Sequence, residues 1–201
     1  MTGPDVVLAP MRWWHIPAVL ELERELFPDE PWSAPAFWSE LADRETRRYV
    51  VAVRPRPADL GGTPGESSAG RGTPSRSAEA AAAEAEGDVL GYAGLAAYSG
   101  EAHVLTLGVA RAEQGRGLGG ALLRDLLLAA ERSGARGVYL DVRADNRVAQ
   151  RLYARHGFVP IGVRRRYYQP SGTDAIVMLR SSAAAATAGG RPTAGPAEER
   201  A

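Results

Sequence analysis

The chain has 201 residues and not one cysteine. Disulfides, thiolate nucleophiles and cysteine-held metals are therefore excluded. Its three histidines, His15, His103 and His156, are scattered. That spacing does not suit a zinc site, so no metal is expected. No uninterrupted apolar run reaches the roughly 18 residues that a membrane-spanning helix needs. The first residues lack a basic segment followed by an apolar core, the mark of an export signal. A soluble, cytoplasmic protein is the expectation. Net charge is missing too: 24 basic and 24 acidic side chains cancel. That gives no general argument for nucleic-acid binding.

Large apolar side chains are almost absent from residues 54–88, where Leu60 stands alone among Gly, Pro, Ser, Ala and charge. Such a stretch cannot bury enough surface to offset its ordering entropy. It reads as a disordered insertion inside a hairpin between two strands, since long surface loops are entropically tolerable. A linker between two domains is the alternative, but residues 1–53 are short for an independent fold. Residues 181–201 lack a core face as well and read as a disordered tail. One domain over residues 1–180 suits the length.

The remaining segments carry periodic apolar patterns. Residues 6–12 read as a first strand. Residues 15–26 read as a helix in which Ile16, Val19, Leu20, Leu22, Glu23 and Leu26 mix core and surface positions. Pro28 and Pro31 must end it. A second helix then begins at Trp32-Ser33, with Ser33 as N-cap and Pro35 in the first turn. Residues 49–53, 89–98, 101–109 and 138–142 read as strands. Alternation along the last of these puts Tyr139 and Asp141 on one face. Between the third and fourth of them lies a helix in which Leu118, Leu122 and Leu126 should face the core, with Leu123 and Leu127 beside them. Ser133-Gly134 closes it. Asp145 or Asn146 can cap a short helix ending at His156-Gly157. Phe158-Val159 resumes strand, and residues 164–168 and 174–179 read as a terminal hairpin.

The organising stretch is Gln114-Gly115-Arg116-Gly117-Leu118-Gly119-Gly120. It joins a strand to a helix. Backbone N–H groups in a first helical turn have no intrahelical partner. Glycines let that backbone lie against a ligand, and the helix dipole favours an anion there. The result is a socket for phosphate or pyrophosphate, with Arg116 adding charge at the rim. A P-loop is excluded because no lysine follows the turn. A dinucleotide fingerprint, G-x-G-x-x-G with an acidic residue about 20 residues on in a βαβ unit, competes for the same glycines, of which Gly115, Gly117 and Gly119 alternate and Gly120 follows.

The pattern Q-x-x-G-x-G over residues 114–119 resembles the pyrophosphate loop of the GNAT superfamily, the acyl-CoA-dependent N-acyltransferases. So does Asn146-x-x-Ala149-x-x-Leu152-Tyr153-x-x-x-Gly157-Phe158, which is similar to the superfamily's C-terminal helix signature. Residues 138–146, Arg165-Arg166-Tyr167-Tyr168, residues 174–178 and Pro31-Trp32-Ser33 with Phe37 resemble its RimI-type branch. The resemblance covers residues 6–53 and 89–180. It implies an α/β (α+β) fold: a mixed, mostly antiparallel sheet of about seven strands, flanked by helices and splayed at the cofactor site. It also implies transfer of acetyl from acetyl-CoA to the N-terminal alanine of a small-subunit ribosomal protein. No membrane and no specific nucleic acid are implied as partners.

The implied mechanism is direct transfer in a ternary complex. A peptide α-amine has a pKa of about 7.7–8.0, so freeing its lone pair at neutral pH costs only about 1 kcal/mol. The family's usual base is a glutamate, and Asp141 holds that place here, one methylene shorter. Glu101 on the preceding strand is the other candidate. Tyr153 would protonate the departing thiolate. Backbone near Leu107, Gly108 and Val109 would polarise the thioester, Gly108 being suited either to close ligand approach or to a bulge. Residues 114–120 would hold the pyrophosphate, and Asn146 the pantetheine or adenine side. Trp32, Ser33, Tyr139, Tyr167 and Tyr168 would line the acceptor groove. Two other readings stay open: a different amine as acceptor, or an acyl-CoA-binding protein without turnover. The insertion gives a first prediction. Replacing residues 54–88 by a short Gly-Ser loop should leave Tm and activity nearly intact. A fall of more than about 10 °C in a thermal melt, well over 1 kcal/mol, would show that the segment packs.

Overall fold

The computed structural model describes residues 6–55 and 87–182. Seven strands form one sheet: β1 (Val7–Pro10), β2 (Arg47–Pro55), β3 (Gly87–Tyr98), β4 (Glu101–Val109), β5 (Gly137–Arg143), β6 (Val159–Tyr168) and β7 (Thr173–Ser181). Their order is β1-β2-β3-β4-β5-β7-β6. Every neighbouring pair is antiparallel except β4 with β5. The helices are α1 (Ile16–Leu26), α2 (Ala34–Ala42), α3 (Leu118–Arg132) and α4 (Arg147–Arg155). The expected mixed, mostly antiparallel seven-stranded fold is the one observed.

The central strands are apolar at consecutive positions because both faces are covered. On β2, Tyr49, Val51 and Val53 pack with Ile16, Val19 and Leu22 of α1 and Phe37 of α2. Val50 and Ala52 pack with the leucines of α3. Leu118, Leu122, Leu123, Leu126 and Leu127 are all buried, as their spacing predicts. The local stops also follow from the sequence. Ser33 caps α2 by accepting from the Ala36 N–H at 3.3 Å. After α3, Gly134 takes a left-handed φ of 75°, and the Ala135 N–H returns to the Ala130 carbonyl at 3.1 Å.

Several boundaries differ from the sequence reading. The first strand stops at Pro10, and α1 starts at Ile16 rather than residue 15. A short 3-10 turn, Trp13–His15, intervenes, and the His15 ring accepts from the Arg12 N–H at 3.0 Å. Residues 54–55 and 87–88, placed by sequence in the insertion, are strand: Arg54 pairs with Asp88 and Pro55 with Gly87. The rest of that insertion and nearly all of the tail lie outside the described residues. Residues 158–159 and 164–168 are not separate pieces, for β6 runs unbroken from Val159 to Tyr168. Irregular pairing between Pro160 and Gly162 hides its alternation.

Candidate active site

The parallel pair β4–β5 meets only at Ala102 with Val138 and His103 with Tyr139. Beyond those pairs the strands diverge, which is the predicted splay. A bulge bends β4 at this point: Thr106 pairs with Gly94 but Val104 with Leu95, leaving Leu105 extra. Residues 104–109 of β4 therefore turn a free edge toward β5, with backbone groups available to a ligand.

The glycine turn stands at the open end of this edge. Gln114 is anchored back to it, donating from Nε2 to the Val109 carbonyl at 3.0 Å. Gly115 has φ 77°, and a Cβ there would meet nothing within 4 Å. Gly117 is the N-cap of α3 at φ 85°, with no side chain capping the helix. The first-turn N–H groups are thus left to an outside acceptor. This open, glycine-lined turn fits a pyrophosphate. Arg116 is exposed at the rim and pairs with Glu113 at 3.1 Å. Glu113 also binds Arg54 at 2.7 Å, and that bond chiefly holds its carboxyl below the usual range. Gly119 sits against Leu152, and Gly120 against His156, where α3 meets α4. Gly108 has a different reason to be glycine. A Cβ there would lie 2.6 Å from the Tyr92 ring, so the ring requires it, and the bulge lies elsewhere, at Leu105.

On the other side of the splay, Asp141 and Tyr153 stand with Tyr168. The Asp141 Oδ1 is buried and has no hydrogen-bond partner, with the Arg164 Nε 3.4 Å away in an ion pair. The Tyr168 hydroxyl donates to the Asp141 carbonyl at 3.4 Å. Burial, then the Asp141 charge, pushes the Tyr168 phenol up to about 12. Tyr153 is buried on α4 with its ring against Phe158, 5.8 Å between centroids. Burial, then Tyr168, raises its pKa, so it stays protonated at neutral pH. Asn146 caps α4, accepting from the Ala149 N–H at 3.0 Å. Its oxygen is thereby engaged, and its amide nitrogen is the group left to face a ligand.

The acceptor candidates divide. Tyr167 stacks edge-on against Tyr168 at 5.2 Å, beside the Asp141 cluster. Trp32 packs on Phe37 at 5.4 Å, and Ser33 is occupied as a cap. Tyr139 lies lower on the sheet, in a stack with His103 and then Tyr98. Glu101 is exposed at the closed end of β4 and pairs with His103 at 3.9 Å. At a rise of about 3.3 Å per residue it is roughly 26 Å along the strand from Val109. The structure does not bring it to the opening. Sequence reasoning missed three things. Arg164 is the partner of Asp141. The segment after α1 is tied to the far side through Asp29 with Arg143 at 3.4 Å and Glu30 with the Gln169 N–H at 3.0 Å. Glu23 is buried, 1% exposed; its place at i+4 from Val19 was the available signal. Among the described residues no helix is long and apolar enough to cross a membrane, and no metal-ligand cluster occurs.

Comparison with known proteins agrees with this geometry. Residues 16–158 match the Acetyltransferase (GNAT) family. The chain is 40% identical over 167 residues to N-alpha-acetyltransferase RimI of Mycobacterium tuberculosis, covering 81% of this chain and 84% of that one. Over 80 residues it is 39% identical to the ribosomal protein bS18-alanine N-acetyltransferase of Escherichia coli K12, covering 39% of this chain and 54% of that enzyme. The crystal structure of the ribosomal-protein-S18-alanine N-acetyltransferase from Escherichia coli shares the fold, with TM-score 0.65 at 24% identity over 88% of this chain and 93% of that one. The glycine turn gives the second prediction. Gly117→Asp puts a side chain and a negative charge into the socket at a left-handed φ. Calorimetry should show acetyl-CoA affinity falling at least tenfold, about 1.4 kcal/mol. Unchanged affinity would remove the turn from the cofactor site.

Proposed function

The chain belongs to the acetyltransferase (GNAT) family, and on that footing we propose that its acceptor is a protein N-terminus, the α-amine of the N-terminal alanine of a small-subunit ribosomal protein. Activity would then be cytoplasmic. The observation that carries the reading is the buried Asp141 Oδ1 at the splay, ion-paired to Arg164 but without a hydrogen bond, in one cluster with the buried Tyr153 phenol. Buried polar atoms without a hydrogen-bond partner are rare and are expected where a reaction supplies one. Relatives whose names specify alanine N-acetylation support the acceptor.

Acetyl-CoA, when bound, supplies an activated thioester. Residues 114–120 hold its pyrophosphate, and the free edge at Leu107–Val109 offers backbone N–H to its carbonyl oxygen. Asp141 receives the proton of the incoming amine, directly or through a water, with the Arg164 guanidinium 3.4 Å away. The amine is close to half deprotonated just above neutrality, so a weak base suffices. Tyr153 holds its proton until the sulfur gains charge, then donates it. Tyr168 roofs Asp141, and its hydroxyl stays neutral throughout. The ties Asp29–Arg143 and Glu30–Gln169 hold the segment after α1 to the β5 and β7 side of the site. A polyamine is disfavoured, because Asp29 and Asp141 already have arginine partners.

The third prediction separates acid from base. Tyr153→Phe should lower kcat by roughly 10²-fold on an alanine-initiated peptide while acetyl-CoA affinity holds. Asp141→Ala should lose most activity at low pH, where the amine is protonated, and recover in part above the amine's own pKa. Asp141→Glu should stay active. Full activity in Tyr153→Phe would reduce Tyr153 to packing. A kcat/KM ratio between wild type and Asp141→Ala that is flat across pH would remove Asp141 as the base.

A further inference from the structure

Glu23 takes no part in the chemistry above, yet it is a carboxylate 1% exposed in the interior. Its neighbours on the buried side of α1 are Ile16, Val19 and Leu22. An apolar side chain would fill that place at no desolvation cost. All its hydrogen-bond partners are neutral, and they come from three different segments. The Trp32 N–H donates to Oε2 at 3.1 Å. The Tyr92 hydroxyl of β3 donates to Oε1 at 2.5 Å, and the Thr106 hydroxyl of β4 reaches the same oxygen at 3.5 Å. Burial raises its pKa, with these three bonds working against the rise.

The three segments are those that frame the opening. Trp32 ends the segment that carries Asp29 and Glu30 to the mouth. Thr106 lies on the free edge of β4, next to the bulged Leu105. Tyr92 lays its ring across Gly108, between Leu107 and Val109. We propose that Glu23 is a positioning residue: by holding Trp32, Tyr92 and Thr106 on one carboxylate, it fixes the acceptor-side segment relative to the free edge of β4. This rests on the reading of that edge as the acetyl-bearing side and of residues 27–33 as the acceptor side. A carboxylate is suited to the task because both oxygens accept. A carboxamide accepts on one side only and turns N–H groups toward one of the donors.

The test is Glu23→Gln in the full chain, read in three ways. The acceptor KM should rise roughly tenfold or more, while the acetyl-CoA KM stays within about twofold and kcat within about threefold. Amide exchange at Trp32 should quicken by roughly tenfold or more, with α3 amides unchanged. If Glu23→Gln does not fold, the double variant Glu23→Met/Tyr92→Phe removes the carboxylate together with the hydroxyl that needs it, and keeps the volume. It should show the same split. An unchanged acceptor KM with Trp32 still protected would overturn the proposal. So would a parallel loss of Tm and acetyl-CoA binding, which marks a merely structural role. The exchange measurement needs no acceptor. If wild type transfers no acetyl to alanine-initiated peptides, the acceptor assignment falls, and Trp32 exchange alone decides the role of Glu23.

Discussion

The divergence of β4 from β5 is the constraint on which the site depends. Two parallel strands joined by a crossover helix would ordinarily pair along their length. Here pairing ends after His103 and Tyr139, and the Leu105 bulge turns β4 away. Neither strand can slide back to close the gap. β4 is locked to β3 from Glu101 to Val109, and β5 to β7 from Gly137 to Arg143. Cores on both faces hold those pairs in place. The opening therefore persists as a built feature of the sheet. It gathers the start of α3, the free edge of β4 and the Asp141 face of β5 around one space.

Charge around that space is arranged by pairing. Asp141 faces Arg164, Asp29 and Asp145 share Arg143, Asp174 binds Arg165, and Glu113 joins Arg54 to Arg116. Most of these pairs are exposed and worth little as stability, at about 0–1 kcal/mol each. Their effect is geometric. They tie the segment after α1 to the β5 and β7 side, and they hold the glycine turn to the end of β2. Glu23 is the exception: a buried carboxylate with neutral donors alone. Its raised pKa means that the folded state binds its proton more readily than the unfolded chain does. The stability it withholds at neutral pH is recovered as pH falls through the folded-state value.

Much of this was legible because it is local. The glycine turn, the caps at Ser33 and Asn146, the leucine face of α3 and the stop at Gly134 each depend on a few neighbouring residues. What stayed hidden depends on register. The continuity of β6 was masked by Pro160, Gly162 and the irregular pairing between them. The reason for Gly108 is a ring sixteen positions earlier in sequence, brought opposite by the β3–β4 pairing. Glu101 and Asp141 both read as candidate bases, and only the sheet shows that Glu101 belongs to the closed end. Glu23 sat at a buried helical position, but its partners come from the end of the next loop and from two strands more than 60 residues away. No window of sequence contains that network.

The central claim is that acetyl-CoA lies along the free edge of β4 with its pyrophosphate at the start of α3. Hydrogen–deuterium exchange of the full chain, with and without acetyl-CoA, tests it most directly. The account predicts slowed exchange for residues 107–109 and 115–121. It predicts no change for residues 101–103 at the closed end, whose amides gain no partner from the ligand. Protection confined to β6 and α4, or none along β4 at saturating acetyl-CoA, would contradict it.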